Sequence, residues 1–374
     1  MHPIATPSRP LPHSYALDLA WDWLCHARRH FPPNADIWDL RHRWSDCRAT
    51  FLQQLQSGTY RLSPMQRVGK RHPRILWSAK DALALKWLEL KITPFLPVHP
   101  ACEHVKGHGG GPQSVQRLKT LTQGPHAPYT WVCRTDIKGY YANIDKSRLL
   151  TQLQRHIIDP ALMDLLTQYV HYTVDSGGVF HTPKKGIPRG CALSPLMGAF
   201  HLTQMDAYFA QKRVHYVRYM DDFVLLTQTR GQLRKAIRQL NQWFAAFGFT
   251  QHPDKTFIGR VAKGFDWMGA WLTDHGITGV APRALDNHRT RCRQLYEQTS
   301  RLSVKQQADR VSQYRLRWSQ WVQCVLKGPK TAACPRPACS GTTASHTESP
   351  THPHPTSCTP LPLRLSSKRP IKVC

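Results

Sequence analysis

The stretch "HYVRYMDDFVLLT", His215 to Thr227, sets two adjacent carboxylates, Asp221 and Asp222, between two apolar runs. Val217 and Tyr219 alternate with polar neighbours and Phe223 to Leu226 is continuously apolar, so strand, turn, strand is the economical structure, with Met220, Asp221 and Asp222 at its tip. An isolated Asp pair ordinarily suits an exposed turn. Here the aromatic and apolar flanks put the pair at the end of a buried hairpin, where unpaired charge is costly. A divalent cation would resolve the repulsion.

A third carboxylate lies upstream in "TWVCRTDIKGYYANIDKSRLL", Thr130 to Leu150. Trp131 to Ile137 reads as a strand with Asp136 near its end, and "KGYY" turns toward a helix beginning near Asp145 or Lys146. If the two strands lie side by side, Asp136, Asp221 and Asp222 converge on one sheet face. Hard oxygen ligands of this kind suit magnesium, which keeps waters and takes its remaining ligands from substrate phosphates. Two such ions about 3.5–4 Å apart would activate a 3′-hydroxyl and stabilise a departing pyrophosphate.

Composition points the same way. The 374 residues carry 51 Lys plus Arg against 23 Asp plus Glu, a formal charge of +28 spread along the chain, which makes a polyanion the natural partner. No run approaches the roughly 18 apolar residues of a membrane span, so no membrane partner is expected. The opening "MHPIATPSRPLPHSYALDLAWDW" lacks the apolar stretch of a secretion signal, and a cytoplasmic location follows as the expectation. Eleven scattered cysteines suit reduced thiols better than a disulfide framework. Cys334 and Cys339 in "CPRPAC", with His346, His352 and His354 beyond them, have the wrong spacing for a zinc site.

Along the chain, Ser14 to about Gln56 is helical in pattern. Ser57 to Trp77 reads as a basic hairpin or loop crowded by Arg61, Arg67, Lys70, Arg71 and Arg74. Ser78 caps a helix that ends before Pro94. Strands and helices mix from about Tyr129 to Leu272, and Asn287 to Lys327 is helical again. The segment from Gly328, rich in Pro, Ser, Thr and His, is expected to be disordered. In "GIPRGCALSP", Gly186, Pro188 and Gly190 let backbone approach a base pair closely, while Ser194 and Pro195 read as N-cap and first helical position.

Three of these motifs, "YMDD" at 219–222, "DIKGYYANID" at 136–145 and "GIPRGCALSPLMGAF" at 186–200, resemble in order and spacing successive motifs of bacterial reverse transcriptases of the group II intron type. "HPDKTFIGRVAKGFDWMGAWL" at 252–272 resembles the later motifs, "RVGKRHPRILWSAKDALALK" the basic fingers segment, and "GHGGGPQSV" the glycine-containing motif ahead of the first catalytic strand. The likeness runs from about Tyr60 to Leu272. It implies an α+β right-hand polymerase: an N-terminal helical extension with fingers (1–128), a palm of antiparallel sheet plus helices (129–282), a helical thumb (283–327) and a basic tail (328–374).

The activity so implied is RNA-directed DNA polymerisation, with a primer 3′-hydroxyl extended by two-metal transfer, in a protein encoded by a bacterial retroelement. The implied partners are an RNA template, a DNA or RNA primer and dNTPs, and the cofactor is a pair of Mg²⁺ ions for which Mn²⁺ substitutes. By the same resemblance Asp136, Asp221 and Asp222 bind the metals. Tyr141 is the aromatic gate against a 2′-hydroxyl, and Lys255 stands near the leaving pyrophosphate as cation or general acid. Lys70, Arg71 and Arg74 hold the triphosphate. Ile137, Arg189 and Gly190 fall at further nucleotide-binding positions, although Arg189 stands where many relatives carry Gln. Two other readings stay open: an RNA-binding, maturase-like protein with an unused catalytic centre, and a defence-associated polymerase that adds nucleotides without an external template. No HNH-like nuclease signature follows the helical region. The type of element and the oligomeric state are left open.

Overall fold

The computed structural model describes residues 10–68, 74–300 and 302–328. The expected disorder beyond Gly328 and the two cations Lys70 and Arg71 lie outside the described residues.

The chain begins with α1 (His13–Ala27), α2 (Asp36–His42) and α3 (Trp44–Gln56). Helix α1 buries Ala16, Leu17, Ala20 and Leu24, one helical stripe. It packs on α4 (Ala79–Ile92), a helix buried on most of its circumference, whose first turn is closed by the Ser78 hydroxyl accepting the Asp81 N–H at 3.0 Å. Between α3 and α4 the basic segment forms the antiparallel pair β1 (Met65–Val68) and β2 (Arg74–Leu76). Two short strands, β4 (Val174–Asp175) and β5 (Phe180–His181), extend it to a four-stranded sheet of order β2-β1-β4-β5.

The central sheet is antiparallel throughout, with order β6-β7-β3-β8: β6 (His215–Tyr219), β7 (Asp222–Thr227), β3 (Trp131–Asp136) and β8 (Phe257–Arg260). Alternation along these strands separates two cores. Cys133, Tyr216, Phe223 and Leu225 join the main core with the N-terminal helices. The same core takes in α7 (Lys146–Gln154), α8 (Pro160–Val170), α9 (Leu193–His201), α10 (Thr203–Ala210) and α11 (Arg230–Phe247). Val132, Val217, Val224 and Leu226 face the other way. They meet Val115 and Leu118 of α5 (Gly110–Thr122), Val325 of the C-terminal helix, and a second sheet of order β11-β10-β9. Its strands are β9 (Phe265–Trp267), β10 (Ala270–Thr273) and β11 (Gly276–Val280). Helices α12 (Pro282–Gln298) and α13 (Val304–Lys327) complete the described chain, and a one-turn helix, α6 (Tyr140–Asn143), follows β3.

Two local expectations are corrected. Ser194 is not an N-cap: α9 starts at Leu193 behind Ala192, and the buried Ser194 hydroxyl donates to the Pro188 carbonyl at 2.6 Å while accepting from Tyr169 Oη at 3.1 Å. A tertiary acceptor has displaced the local one. Cys25, Cys47, Cys102, Cys133, Cys191 and Cys292 are free thiols, but Cys324 is disulfide-bonded, against the expectation of reduced cysteines.

Candidate active site

Register places the carboxylates. Asp136 and Asp222 are direct cross-strand partners at the last rung of β3 and β7, and the pleat gives both side chains the face that carries Val132 and Val224. The connection from Tyr219 to Asp222 is the two-residue turn Met220–Asp221, so Asp222 is already strand, not tip. The Asp221 carbonyl accepts the Ile137 N–H at 3.0 Å, which fastens the turn to the end of β3. All three acids are thereby brought together.

Burial sets their electrostatics. Asp136 is almost fully buried, and its Oδ2 is paired with Lys255 Nζ, while its Oδ1 has no hydrogen-bond partner. Asp222 accepts from Arg134 at 2.7 Å, and Arg134 also donates to the Lys255 carbonyl at 2.7 Å, so the two cations form one bracket around the acids. Desolvation nevertheless pushes the Asp222 carboxyl up to about 6, against the lowering pull of Arg134. The Asp221 carboxyl is likewise raised, first by burial and then by the negative charge of Asp136. Like charges crowded in a poorly solvated place hold protons tightly unless a cation arrives.

This donor set suits a hard divalent ion: three carboxylates, one of them with an orphaned buried oxygen. The side chains are not yet gathered for it. Among the described residues no group of three His, Cys, Asp or Glu side chains is already arranged around one point, because Asp136 and Asp222 turn to Lys255 and Arg134 instead.

The turn itself is held from several sides. Met220 has φ 59°, a left-handed conformation that disfavours a side chain and persists only where surroundings over-determine it. Its N–H donates to His104 Nδ1 at 3.2 Å, its carbonyl accepts from Arg218 at 3.0 Å, and its thioether accepts the Tyr141 hydroxyl at 3.5 Å. His104 can act as acceptor because burial lowers its pKa to about 4, leaving the ring neutral, with Nε2 3.2 Å from the Pro195 carbonyl. Arg218 is fully buried and ion-paired to Asp206, and it reaches the Ala199 carbonyl at 2.9 Å and the Gly198 carbonyl at 3.3 Å.

Tyr140 and Tyr141 divide into a core residue and a site residue. Tyr140 is buried, with its hydroxyl donating to the Gly198 carbonyl at 2.7 Å. Tyr141 is only partly buried and rests on Gly198, where an added Cβ would stand 3.1 Å from its ring. The loop before α9 is docked beneath by Gly186, at φ +85°, whose hypothetical Cβ would lie 2.8 Å from the Tyr141 and Ala142 carbonyls. A side chain there would push the loop off the tyrosine turn.

Of the remaining candidates for nucleotide contact, Arg189 and Gly190 are exposed in that loop. Arg74 is exposed on β2, in a different sheet from the acids. Ile137 does not join as a side chain: it is buried in the main core and its N–H is engaged by Asp221. Three residues that sequence reasoning missed, Arg134, His104 and Arg218, hold the acids and the turn. Only Arg134 carried a usable signal, since its parity with Asp136 puts it on the same face of β3.

Residues 91–272, which include all three acids, match the profile of the reverse transcriptase (RNA-dependent DNA polymerase) family. Among curated proteins, the chain is similar to Protein YkfC of Escherichia coli strain K12, at 24% identity covering 58% of this chain and 68% of that protein. It is also similar to the group II intron-encoded protein LtrA of Lactococcus lactis subsp. cremoris, at 26% identity covering 45% of this chain and 29% of LtrA. The match thus spans about two thirds of YkfC and under a third of LtrA. Residues 91–272 of this chain are a reverse transcriptase (RNA-dependent DNA polymerase) domain.

Proposed function

We propose that the chain is an RNA-directed DNA polymerase that extends a primer 3′-hydroxyl with dNTPs on an RNA template, from a bacterial retroelement. The observation that carries this is the cross-strand pair Asp136 and Asp222 with Asp221 on a pinned turn, three carboxylates in one poorly solvated place with one oxygen unpartnered. On this reading residues 1–128 form an N-terminal extension and fingers, 129–282 the palm, and 283–327 the thumb.

Asp136, Asp221 and Asp222 would hold divalent ions, Mg²⁺ or Mn²⁺, which supply activation of the 3′-hydroxyl and charge stabilisation at the transferring phosphoryl group. The chain's own residues do the rest. Lys255, displaced from Asp136, keeps its ammonium beside the acids, where it can neutralise or protonate the leaving pyrophosphate. Arg134 holds Asp222 in orientation through the 2.7 Å bond. The Met220 turn, clamped by His104 and Arg218, fixes the backbone that carries Asp221 before substrate arrives, and what remains is for the acid side chains to turn from Lys255 and Arg134 toward the ions. Tyr141 reaches that turn with its hydroxyl, and its ring selects the sugar sterically. Arg74 with Lys70 and Arg71 contributes cations for the triphosphate.

Primer extension with purified protein on a defined RNA template tests the reading. Template-directed dNTP incorporation that requires Mg²⁺ or Mn²⁺ and disappears in Asp221→Asn is the expected result. Binding of RNA with no incorporation would instead favour a maturase-like role, and incorporation indifferent to template sequence a template-independent polymerase.

A further inference from the structure

The central sheet has a second functional-looking end. At the start of β3, five residues and about 17 Å of strand from Asp136, a groove of about 380 Å³ opens between β8 and α11. β8 is the outer strand of the sheet, and Ile258 stands opposite Cys133, on the face that α11 covers further in. The helix stops short of it: Ile258 is 52% exposed. Ile258 and the neighbouring Ile237 and Leu233 give the groove an apolar floor. Trp131 adds an aromatic wall, with the Arg260 guanidinium 5.3 Å from its ring centre.

The rim is cationic and uncompensated. Arg230, Arg234, Arg260 and Lys263 line the groove, no acidic side chain does, and among the described residues none of the four has an ion-pair partner. Arg230 and Arg234 are i,i+4 neighbours on a helix without a single Asp or Glu, so the two repel each other and destabilise the helix that carries them. The helix end is already satisfied by the Thr229–Gln232 capping box, so what lacks a counterpart is the row of side chains. At the catalytic end Arg134 and Lys255 each touch a carboxylate; here four cations touch none.

We infer that this groove is a binding site for single-stranded nucleic acid, separate from the catalytic acids, with backbone phosphates on Arg230, Arg234, Arg260 and Lys263 and a base laid against Ile258 and Trp131. Charge complementarity selects a polyanion, and an apolar floor beside an aromatic wall selects one with flat apolar faces between its charges, which describes single-stranded RNA or DNA and not a duplex. The groove offers no hydroxyl, amide or carboxylate side chain that could read a base edge or a 2′-hydroxyl, so binding there is tolerant of sequence and sugar. The site would hold nucleic acid about 17 Å along β3 from the acids whether or not they catalyse polymerisation.

The experiment compares two adjacent residues of one helix. Arg234 lines the groove and Lys235 does not, yet both are exposed and each reversal changes the net charge equally. Binding of a labelled oligouridylate of about 20 nucleotides is measured across a salt series for wild type, Arg234→Glu and Lys235→Glu. Arg234→Glu should weaken binding at least about fivefold and lower the log–log salt slope by about 0.7, the counterion release of one single-strand phosphate. Lys235→Glu should change affinity less than twofold. An oligodeoxythymidylate should behave like the uridylate, and a 4-thiouridine oligomer should cross-link to the peptide containing Trp131 or Ile258. Extension of a short primer–template hybrid by Arg234→Glu should stay within twofold of wild type.

Equal losses in the two variants would reduce the effect to overall charge and overturn the site. So would unchanged RNA binding in Arg234→Glu, whether with self-association of the protein, which would make these cations guards of an exposed strand edge, or with lost binding of a polyglutamate peptide. A strict preference for RNA would overturn the proposed contacts. Wild type that shows the full binding signature without extending a primer would leave the groove standing and remove the polymerase reading.

Discussion

Two clusters of buried charge flank the Met220–Asp221 turn, and they differ in completeness. Behind the turn, Asp206 and Arg218 are both fully buried. Asp206 accepts from Arg218 Nε at 2.8 Å, from Arg218 Nη2 and from the Tyr216 hydroxyl at 2.6 Å, and the remaining Arg218 donors go to the carbonyls of Gly198, Ala199 and Met220. In front of it, Asp136 keeps one buried oxygen without a partner, Arg134 Nε is also unsatisfied, and the carboxyls of Asp221 and Asp222 are raised. A buried ion pair with every guanidinium proton and both carboxylate oxygens engaged is scaffold, because any change leaves a charge stranded. A buried group of acids with places left over is poised for a ligand.

The strongest break of this comparison is Asp221→Asn, which keeps shape and removes charge. Primer extension should fall by at least about 10⁴-fold, roughly 5 kcal/mol of transition-state stabilisation. The melting temperature should hold or rise, since a like charge beside Asp136 has gone. Extension at the wild-type rate would remove Asp221 from the site.

On the scaffold side the effects should exchange. Asp206→Ala strands Arg218 and should lower stability by about 3–5 kcal/mol, on the order of 10 °C in a thermal melt. A variant as stable as wild type would mean that complete bonding around Arg218 contributes nothing, and the contrast between the clusters would collapse.

Acidity separates them more gently. Asp222 has a folded pKa of about 6, above its unfolded value, so the folded state binds its proton more readily. Its contribution to stability is therefore present below about pH 4 and is lost as pH rises through 6. Without divalent metal, wild type should lose roughly 2 kcal/mol more than Asp222→Asn between those limits, judged by urea unfolding. Added Mg²⁺ at pH 7 should return part of that loss to wild type and none to the variant. A parallel response of the two proteins would show that Asp222 is solvated as an ordinary surface carboxylate.

How far the sequence could go follows from the range of each interaction. The apolar runs at 131–137 and 223–226 are local and mark the two strands that carry Asp136 and Asp222, but that these strands lie side by side is a condition no local pattern supplies, and the antiparallel pairing of Asp136 with Asp222 is what meets it. Ser78 as a helix cap is equally local. Ser194 went wrong because Ser-Pro is a good local signal for a helix start, yet Pro188 O offered a buried acceptor that local reasoning cannot see. His104 and Arg218 were invisible for the same reason: one meets Met220 across 116 positions, and the other acquires its role only when Asp206 and the end of α9 fold against it. The groove at Trp131 joins three separated segments, none distinctive alone.

The smallest effect tests the finest assignment. Tyr140 and Tyr141 are neighbours with ring centres 5.5 Å apart, but one hydroxyl is anchored in the core on Gly198 and the other reaches Met220 at the acids. A ring edge against the C2′ position of an incoming sugar leaves no room for a hydroxyl, so Tyr141→Ala should raise ribonucleotide relative to deoxyribonucleotide incorporation about tenfold, or roughly 1.4 kcal/mol of discrimination. Tyr141→Phe keeps the ring and should keep the discrimination. Tyr140→Ala should instead lower stability by about 3–5 kcal/mol and reduce both incorporations together. Single-nucleotide incorporation with each sugar, read beside the melting temperatures, decides the matter: if Tyr141→Ala behaves as Tyr140→Ala does, both rings are scaffold and the sugar is selected elsewhere.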